Sequence, residues 1–209
     1  MPHGRGFFQP HMLYSKVLPF ASFMLASAAA TSIAAAADMA AAKAKADACA
    51  PCHGPAGISQ VDGIPSLAGQ PDAFIQWQLV YFRAGTRKSD IMGPIAAGTS
   101  NEDIRALGAY FAALPPPAKP AQDGQPGMSK AGAEAAARHG CGTCHLKNFA
   151  GDKIVARLAD QREEYLLKSL RDFKSGSRTG GGVASMPDIM YSVTDDEMKA
   201  LAHFLANLP

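Results

Sequence analysis

The sequence has almost no net charge and few cysteines, and each scarcity excludes a class of protein. Its 209 residues include 20 Lys and Arg against 18 Asp and Glu, which argues against nucleic-acid binding by phosphate neutralisation. Four cysteines are too few for a disulfide-dense mini-protein. The aromatic content of 8% and charged content of 18% are still typical of a globular chain. We therefore expect a folded protein with a thin, alanine-rich core.

The first 37 residues predict a secretory signal peptide. His3, Arg5 and Lys16 precede an apolar run over residues 17–37 that ends in four alanines. A basic start, a short apolar stretch and an A-x-A exit are typical of a cleaved signal, whereas a retained membrane anchor is the alternative. We expect cleavage before Asp38 and a mature protein in the periplasm. Because Arg5 and Lys16 are the only charges removed, that mature chain is formally neutral, so a partner must recognise a local pattern of charge.

The rest of the sequence contains an internal repeat. Residues 70–87 align with residues 161–178, and residues 100–115 align with residues 194–209. Three extra residues fall within 179–185 of the second copy. A repeat of this length suits a duplicated domain, and a proline-rich stretch that should be extended and semi-rigid separates the copies. The predicted organisation is a signal peptide over 1–37, a first domain over 38–115, a linker over 116–126 and a second domain over 127–209.

Both copies show helical patterns and no alternating apolar strand, so the predicted fold class is all-α. Ser100 and Thr194 each begin a capping box, with Asp103 and Glu197 three residues later. Apolar residues then recur on one helical face in each copy. Further helices are predicted over residues 39–48 and 71–84 in the first copy and over residues 129–139 and 162–174 in the second.

The four cysteines form two Cys-x-x-Cys-His motifs, which are typical of covalent haem c attachment. Two thiols three positions apart on a helical turn reach the two vinyl groups of one porphyrin. The adjacent histidine then lies below the ring with a nitrogen directed at the iron. The predicted thioether residues and proximal ligands are Cys49, Cys52 and His53 for one haem c, and Cys141, Cys144 and His145 for the other.

Three other interpretations of the cysteine motifs fit less well. Two disulfides would suit an oxidising compartment but would not explain the histidine after each second cysteine. A thioredoxin-like redox pair would need a βαβ context. A four-cysteine zinc site would need both pairs to meet in space, although the repeat and the linker separate them.

A second axial ligand is needed if each iron is to transfer electrons without binding small molecules, and methionine is the first candidate. Met92 and Met186 lie at matched positions, eight residues before Ser100 and Thr194, and each has a proline close by. We predict that both occupy loops facing the last helix and bind iron. Met190 is the alternative ligand in the second copy.

The other methionines and histidines of the mature chain fit this role less well. Met39 and Met128 precede the haem motifs, and Met198 lies on the inward face of the last helix, where core packing explains it better. His139 and His203 have no counterparts in the other copy and are expected at the surface. Paired methionine ligands leave no open iron position, which argues against catalysis such as peroxide reduction. The protein is therefore expected to be an electron carrier rather than an enzyme.

The motifs together resemble those of the dihaem cytochrome c4 family. The resemblance rests on the two haem motifs, LAGQ at residues 67–70, FRAGTR at residues 82–87 and the NEDIRALGAYFAALP ending of the first copy. It implies two class I cytochrome c domains related by a pseudo-twofold axis. It also implies a periplasmic electron shuttle, either soluble or peripherally bound to the inner membrane.

The resemblance also implies partners and a role for one backbone carbonyl. The implied partners are a quinol–cytochrome c reductase, a terminal oxidase or a dehydrogenase, and the alternative function is a dihaem subunit of a flavin or quinoprotein dehydrogenase complex. In such domains a proline carbonyl orients the proximal histidine. Pro65 fits this role, whereas the second copy has Ala156, whose carbonyl can serve equally. The second copy also reads LADQ over residues 158–161, and we expect the two haems to differ in potential.

Overall fold

A computed structural model of the chain describes residues 1, 4, 38–179 and 185–208. Residues Asp38–Pro209 belong to one compact unit. The predicted signal peptide lies outside the described residues except for Met1 and Gly4. Residues 180–184, in the stretch where the second copy has three extra residues, also lie outside them. Within the described parts, no helix is both long and apolar enough to cross a membrane.

The described part of the chain is helical, which confirms the all-α prediction. In the first copy the helices are α1 (residues 38–46), α2 (Ala50–His53), α3 (Asp72–Arg83), α4 (Met92–Ala97) and α5 (Asn101–Ala113). In the second copy they are α6 (Pro126–Arg138), α7 (Gly142–His145), α8 (Glu163–Lys174), α9 (Ser185–Tyr191) and α10 (Asp195–Ala206). The β-type pairing among these residues is limited to two isolated bridges.

Side-chain caps fix the start of the last helix in each copy. Thr194 and Glu197 form a complete capping box, in which the Thr194 hydroxyl accepts from the Glu197 N–H and a Glu197 carboxylate oxygen accepts from the Thr194 N–H. Ser100 accepts from the Asp103 N–H at 3.1 Å, but the return bond is not formed. The Asp103 carboxylate is instead paired with Lys45 on α1. The predicted box is thus complete only at α10, because the first copy uses its acidic residue to join two helices.

Each copy has its own hydrophobic core. In the first copy, α3 packs on α5 and α4. In the second, α10 packs closely on α6 and α8, and α8 also packs on α9. The buried cluster of the first copy comprises Ala46, Ile75, Leu107 and Phe111. The larger cluster of the second copy includes Ala135, Leu166, Phe173, Met190, Met198, Leu201 and Leu205, which confirms Met198 as a core residue.

The change from LAGQ to LADQ leaves the backbone of the second copy in the same conformation. Gly69 and Asp160 both adopt positive φ, at 68° and 58°. The Gly69 N–H donates to the Phe111 carbonyl, and the Asp160 N–H donates to the Leu205 carbonyl, each at 2.9 Å. A Cβ atom at Gly69 would meet Pro116 at 2.7 Å, so the first copy needs glycine for space as well as conformation.

The stretch between the two copies is irregular but is fastened to the second copy. Residues 115–125 contain no helix or strand. Within this stretch the Asp123 carboxylate lies 3.0 Å from His203 Nε2, while His203 Nδ1 lies 3.0 Å from the Glu163 carboxylate. His203 is 5% exposed and His139 is half-buried beside Glu197, so the expectation that both lie at the surface was wrong. Acidic partners make burial of these imidazoles tolerable.

Candidate haem-binding sites

Each Cys-x-x-Cys-His motif folds into a short helical segment that places its two thiols one turn apart. Cys49 ends a 3₁₀ turn and leads into α2, and Cys141 directly precedes α7. The first thiol of each motif is half-buried, and burial raises the pKa of both Cys49 and Cys141. The second thiols, Cys52 and Cys144, are exposed. No disulfide joins the four cysteines, and the described residues hold no cluster of three or more His, Cys, Asp or Glu suited to a metal ion.

The two motif histidines are held in the same way in both copies. His53 Nδ1 lies 2.8 Å from the Pro65 carbonyl oxygen, and His145 Nδ1 lies 2.8 Å from the Ala156 carbonyl oxygen. Both carbonyls therefore make the hydrogen bonds expected of them. Since a carbonyl oxygen only accepts, each Nδ1 carries the proton and each Nε2 presents its lone pair. Burial lowers the pKa of both imidazoles, an effect that the carbonyl bonds only partly oppose.

These residues fit a covalently attached haem. A haem c needs two accessible thiols close together and a neutral imidazole whose second nitrogen is fixed by a hydrogen bond. Both motifs supply this set of groups.

The two matched methionines lie in short helices rather than in the predicted loops. Met92 is the first residue of α4, where its N–H donates to the Ser89 hydroxyl at 3.0 Å. Met186 is the second residue of α9. Both side chains are half-buried, and Met186 packs against the core of the second copy. The helices that carry them pack on α3 and α8.

Burial distinguishes Met186 from the alternative Met190. Met190 is 1% exposed and is one of the largest fully buried side chains of the described chain. Its counterpart in the repeat is Ala96, which is also fully buried. The Met190 side chain therefore fills a core position, whereas Met186 shares both the repeat position and the partial exposure of Met92.

Two arginines that sequence reasoning missed form a cluster between the copies. The cluster lies near α3 of the first copy and α8 of the second. Arg87 and Arg178 are equivalent in the repeat, and their backbones form an antiparallel bridge. Both guanidiniums donate to Gln78 Oε1, at 2.6 and 3.2 Å, and Arg87 also bonds the Tyr165 hydroxyl at 3.1 Å. Burial alone would raise the pKa of Tyr165, but the two guanidiniums lower it to about 7. The repeated Phe-x-x-Gly-x-Arg pattern is the signal that could have revealed this cluster.

Comparison with known proteins identifies the family. A family model described as cytochrome c matches residues 129–209. The chain is 32% identical to the thiosulfate dehydrogenase electron acceptor of Thiomonas intermedia, over 84% of this chain and 85% of that protein. It is 30% identical to cytochrome c4 of Azotobacter vinelandii, over 83% of this chain and 90% of that protein. The chain belongs to the dihaem cytochrome c4 family.

A solved structure supports the same conclusion at the level of the fold. Reduced recombinant cytochrome c4 from Pseudomonas stutzeri matches with a TM-score of 0.74 and 28% identity, covering 81% of this chain and 97% of that one. As a member of this family, the chain is an electron-transfer protein with two covalently bound haem c groups. The helical tandem architecture agrees with that of the matched structure.

Proposed function

We propose that this protein carries electrons in the periplasm through two haems, each of which would be bound by one histidine and one methionine. The observation that carries the proposal is the matched pair of histidine–carbonyl hydrogen bonds. His53 and His145 each donate through Nδ1, so each Nε2 is available to an iron atom. Carbonyl partners of this kind fix the orientation of the ring and raise its basicity.

The residues proposed to hold the haems follow the repeat. The first haem is attached to Cys49 and Cys52 and bound by His53 and Met92, and the second is attached to Cys141 and Cys144 and bound by His145 and Met186. When bound, the haem iron supplies one-electron chemistry between its ferrous and ferric states. The polypeptide orients the imidazoles and would supply a methionine thioether to each iron, which would favour the ferrous state and raise the potential.

The arginine cluster is proposed to balance the carboxylates of the haems. Arg178 is almost fully buried, and among the described residues its guanidinium and that of Arg87 bond Gln78 and Tyr165 but no carboxylate. Buried cations that lack a bonded anion are costly. The propionate groups of a haem are anions whose charge would balance these two cations.

The repeat and the N-terminal pattern support an assignment of domains and of a compartment. We assign the first domain to residues 38–115, the linker to residues 116–126 and the second domain to residues 127–209, in line with the two separate cores. The pattern of residues 1–37 supports export and cleavage, and thus a periplasmic protein.

For the electron donor, we propose a dehydrogenase that oxidises a reduced sulfur compound. The support is the Thiomonas intermedia relative, whose name describes it as an electron acceptor of thiosulfate dehydrogenase. A quinol–cytochrome c reductase as donor and a terminal oxidase as acceptor are the alternative partners.

The proposal is tested with the haem-loaded protein purified after export. We expect two haems per chain, low-spin ferric spectra and an iron–methionine charge-transfer band. Mixing the oxidised protein with a purified thiosulfate dehydrogenase and thiosulfate should produce the ferrous spectrum within the turnover time of the enzyme. High-spin ferric haem would contradict the carrier function. Low-spin spectra without reduction by the dehydrogenase would refute only the proposed donor.

A further inference from the structure

Two buried glutamines connect the two copies in a matched, reciprocal way. Gln70 and Gln161 are equivalent in the repeat, and each is 5% exposed. The Gln161 amide bonds both backbone groups of Ser66, accepting from its N–H at 2.8 Å and donating to its carbonyl at 2.9 Å. The Gln70 amide likewise accepts from the Arg157 N–H at 3.0 Å and donates to the Arg157 carbonyl at 2.8 Å. Only one orientation of each amide satisfies both bonds, which fixes the oxygen towards the N–H.

The peptide groups that these glutamines bond are the ones that hold the histidines. The Ser66 N–H belongs to the same peptide group as the Pro65 carbonyl, and that carbonyl accepts from His53. A continuous hydrogen-bonded path therefore runs from Gln161 in the second copy, through one peptide group, to His53 in the first. The path from Gln70 in the first copy to His145 in the second is its counterpart.

Hydrogen bonds on the two ends of one peptide group strengthen each other. Donation by the N–H increases the negative charge on the carbonyl oxygen of the same group, which makes that oxygen a better acceptor. A stronger acceptor at Nδ1 makes the imidazole more basic at Nε2. A more basic axial ligand stabilises ferric iron, and hydrogen bonding around the ligands is one way in which a protein sets the haem potential.

We propose that Gln161 lowers the potential of the haem bound by His53, and that Gln70 lowers the potential of the haem bound by His145. Each glutamine is a positioning residue that acts across the interface, on the haem of the other copy. The proposal rests on the ligation by His53 and His145 proposed above. It gives the interface a role in tuning the irons as well as in holding the copies together.

The test is a redox titration of the haem-loaded full chain, with the ferric haem methyl resonances assigned to each haem through a Met92→Ala variant. Gln161→Leu removes the acceptor from the Ser66 N–H. We expect the equilibrium constant for reduction of the His53 haem to rise about threefold, which is about 28 mV at 59 mV per tenfold change. The His145 haem should change far less. Gln70→Leu should give the reverse pattern.

Two further variants separate tuning from loosening of the interface. Gln161→Glu keeps an oxygen acceptor in either protonation state, so the potential of the His53 haem should stay at or below the wild-type value. Asp62 forms an ion pair with Arg162 between the copies, at 2.6 Å, and contacts neither of the two peptide groups. Asp62→Asn removes this ion pair and should leave the difference between the two haem potentials unchanged.

Equal shifts of both haems in Gln161→Leu would overturn the proposal, and so would a rise in the Gln161→Glu variant. These outcomes are distinguishable from failure of the proposed ligation. If the wild-type spectra lack low-spin histidine–methionine character, the ligation itself is wrong. If those spectra are present and the crossed shifts are absent, only the role of the glutamines fails.

Discussion

Met186 and Met190 lie four residues apart on α9, and their burial gives them different roles. Met190 is embedded in the core of the second copy, at the position that Ala96 occupies in the first. Met186 is half-buried, like its counterpart Met92. Because the Met190 sulfur is packed in the protein core, we keep Met186 as the proposed ligand of the second haem.

We predict that alanine substitution separates these roles. Met92→Ala and Met186→Ala should each abolish about half of the ferric charge-transfer band, because each removes the thioether of one haem. Met190→Ala should retain the full band but lower the free energy of unfolding by about 2–5 kcal/mol through cavity formation. Optical spectra and denaturant titrations measure both effects. A normal band in Met186→Ala together with a halved band in Met190→Ala would reverse the assignment.

At the scale of elements, the contact between α6 and α10 depends on a glycine. A Cβ atom at Gly132 would lie 2.1 Å from the Ala200 carbonyl oxygen and 2.5 Å from Phe204 Cβ. Backbone of one helix therefore approaches backbone of the other, and a carbonyl oxygen cannot move aside as a flexible side chain can. The absence of a side chain at this position allows the two helices to pack closely.

We predict that Gly132→Ala lowers the free energy of unfolding by about 1–3 kcal/mol, although alanine favours the helix itself. Gly127→Ala is the matched control, since Gly127 lies in the same helix with nothing within 4 Å of its Cβ position. That variant should leave stability unchanged or raise it slightly. Denaturant unfolding of both haem-loaded variants provides the comparison. Equal effects of the two substitutions would contradict a specific clash at the crossing.

The sequence predicts well those helices that are long enough for apolar residues to recur with helical periodicity. The helices α3 and α8 begin and end within one residue of their predictions, over Asp72–Arg83 and Glu163–Lys174. The helices α4 and α9 have only six and seven residues and were mistaken for loops, because so short a segment shows no clear helical pattern.

Site residues are likewise predictable where their pattern is local in the sequence. The Cys-x-x-Cys-His motifs are local in sequence, so the proposed attachment residues and proximal histidines could be recognised directly. The bonds of Gln70 to Arg157 and of Arg87 to Tyr165 join residues about 80–90 positions apart in the chain. Such contacts depend on how the two copies dock, and a single sequence contains no pattern that specifies docking. The repeat reveals which residues are equivalent, but not that they meet.

At the scale of the whole molecule, His203 fastens the segment between the copies to the second copy. Its two ring nitrogens face the carboxylates of Asp123 and Glu163, each at 3.0 Å. Burial lowers the pKa of His203, but hydrogen bonds and charge attraction from the two carboxylates outweigh that effect, so the pKa is raised overall. Only the doubly protonated imidazolium can donate to both acids at once.

We predict that this contact makes stability depend on pH in a defined direction. The folded-state pKa of His203 lies above the unfolded value of about 6.5, so its stabilising contribution is complete below that value and is lost as pH rises through the folded pKa. His203→Gln should therefore lower the free energy of unfolding more at pH 5.5 than at pH 9. Asp123→Asn should weaken the same pH dependence, and the double variant should lose little more than His203→Gln alone. Denaturant titrations at the two pH values measure this difference in the free energy of unfolding. If His203→Gln lowers the free energy of unfolding equally at both pH values, the imidazolium does not hold the segment between the copies.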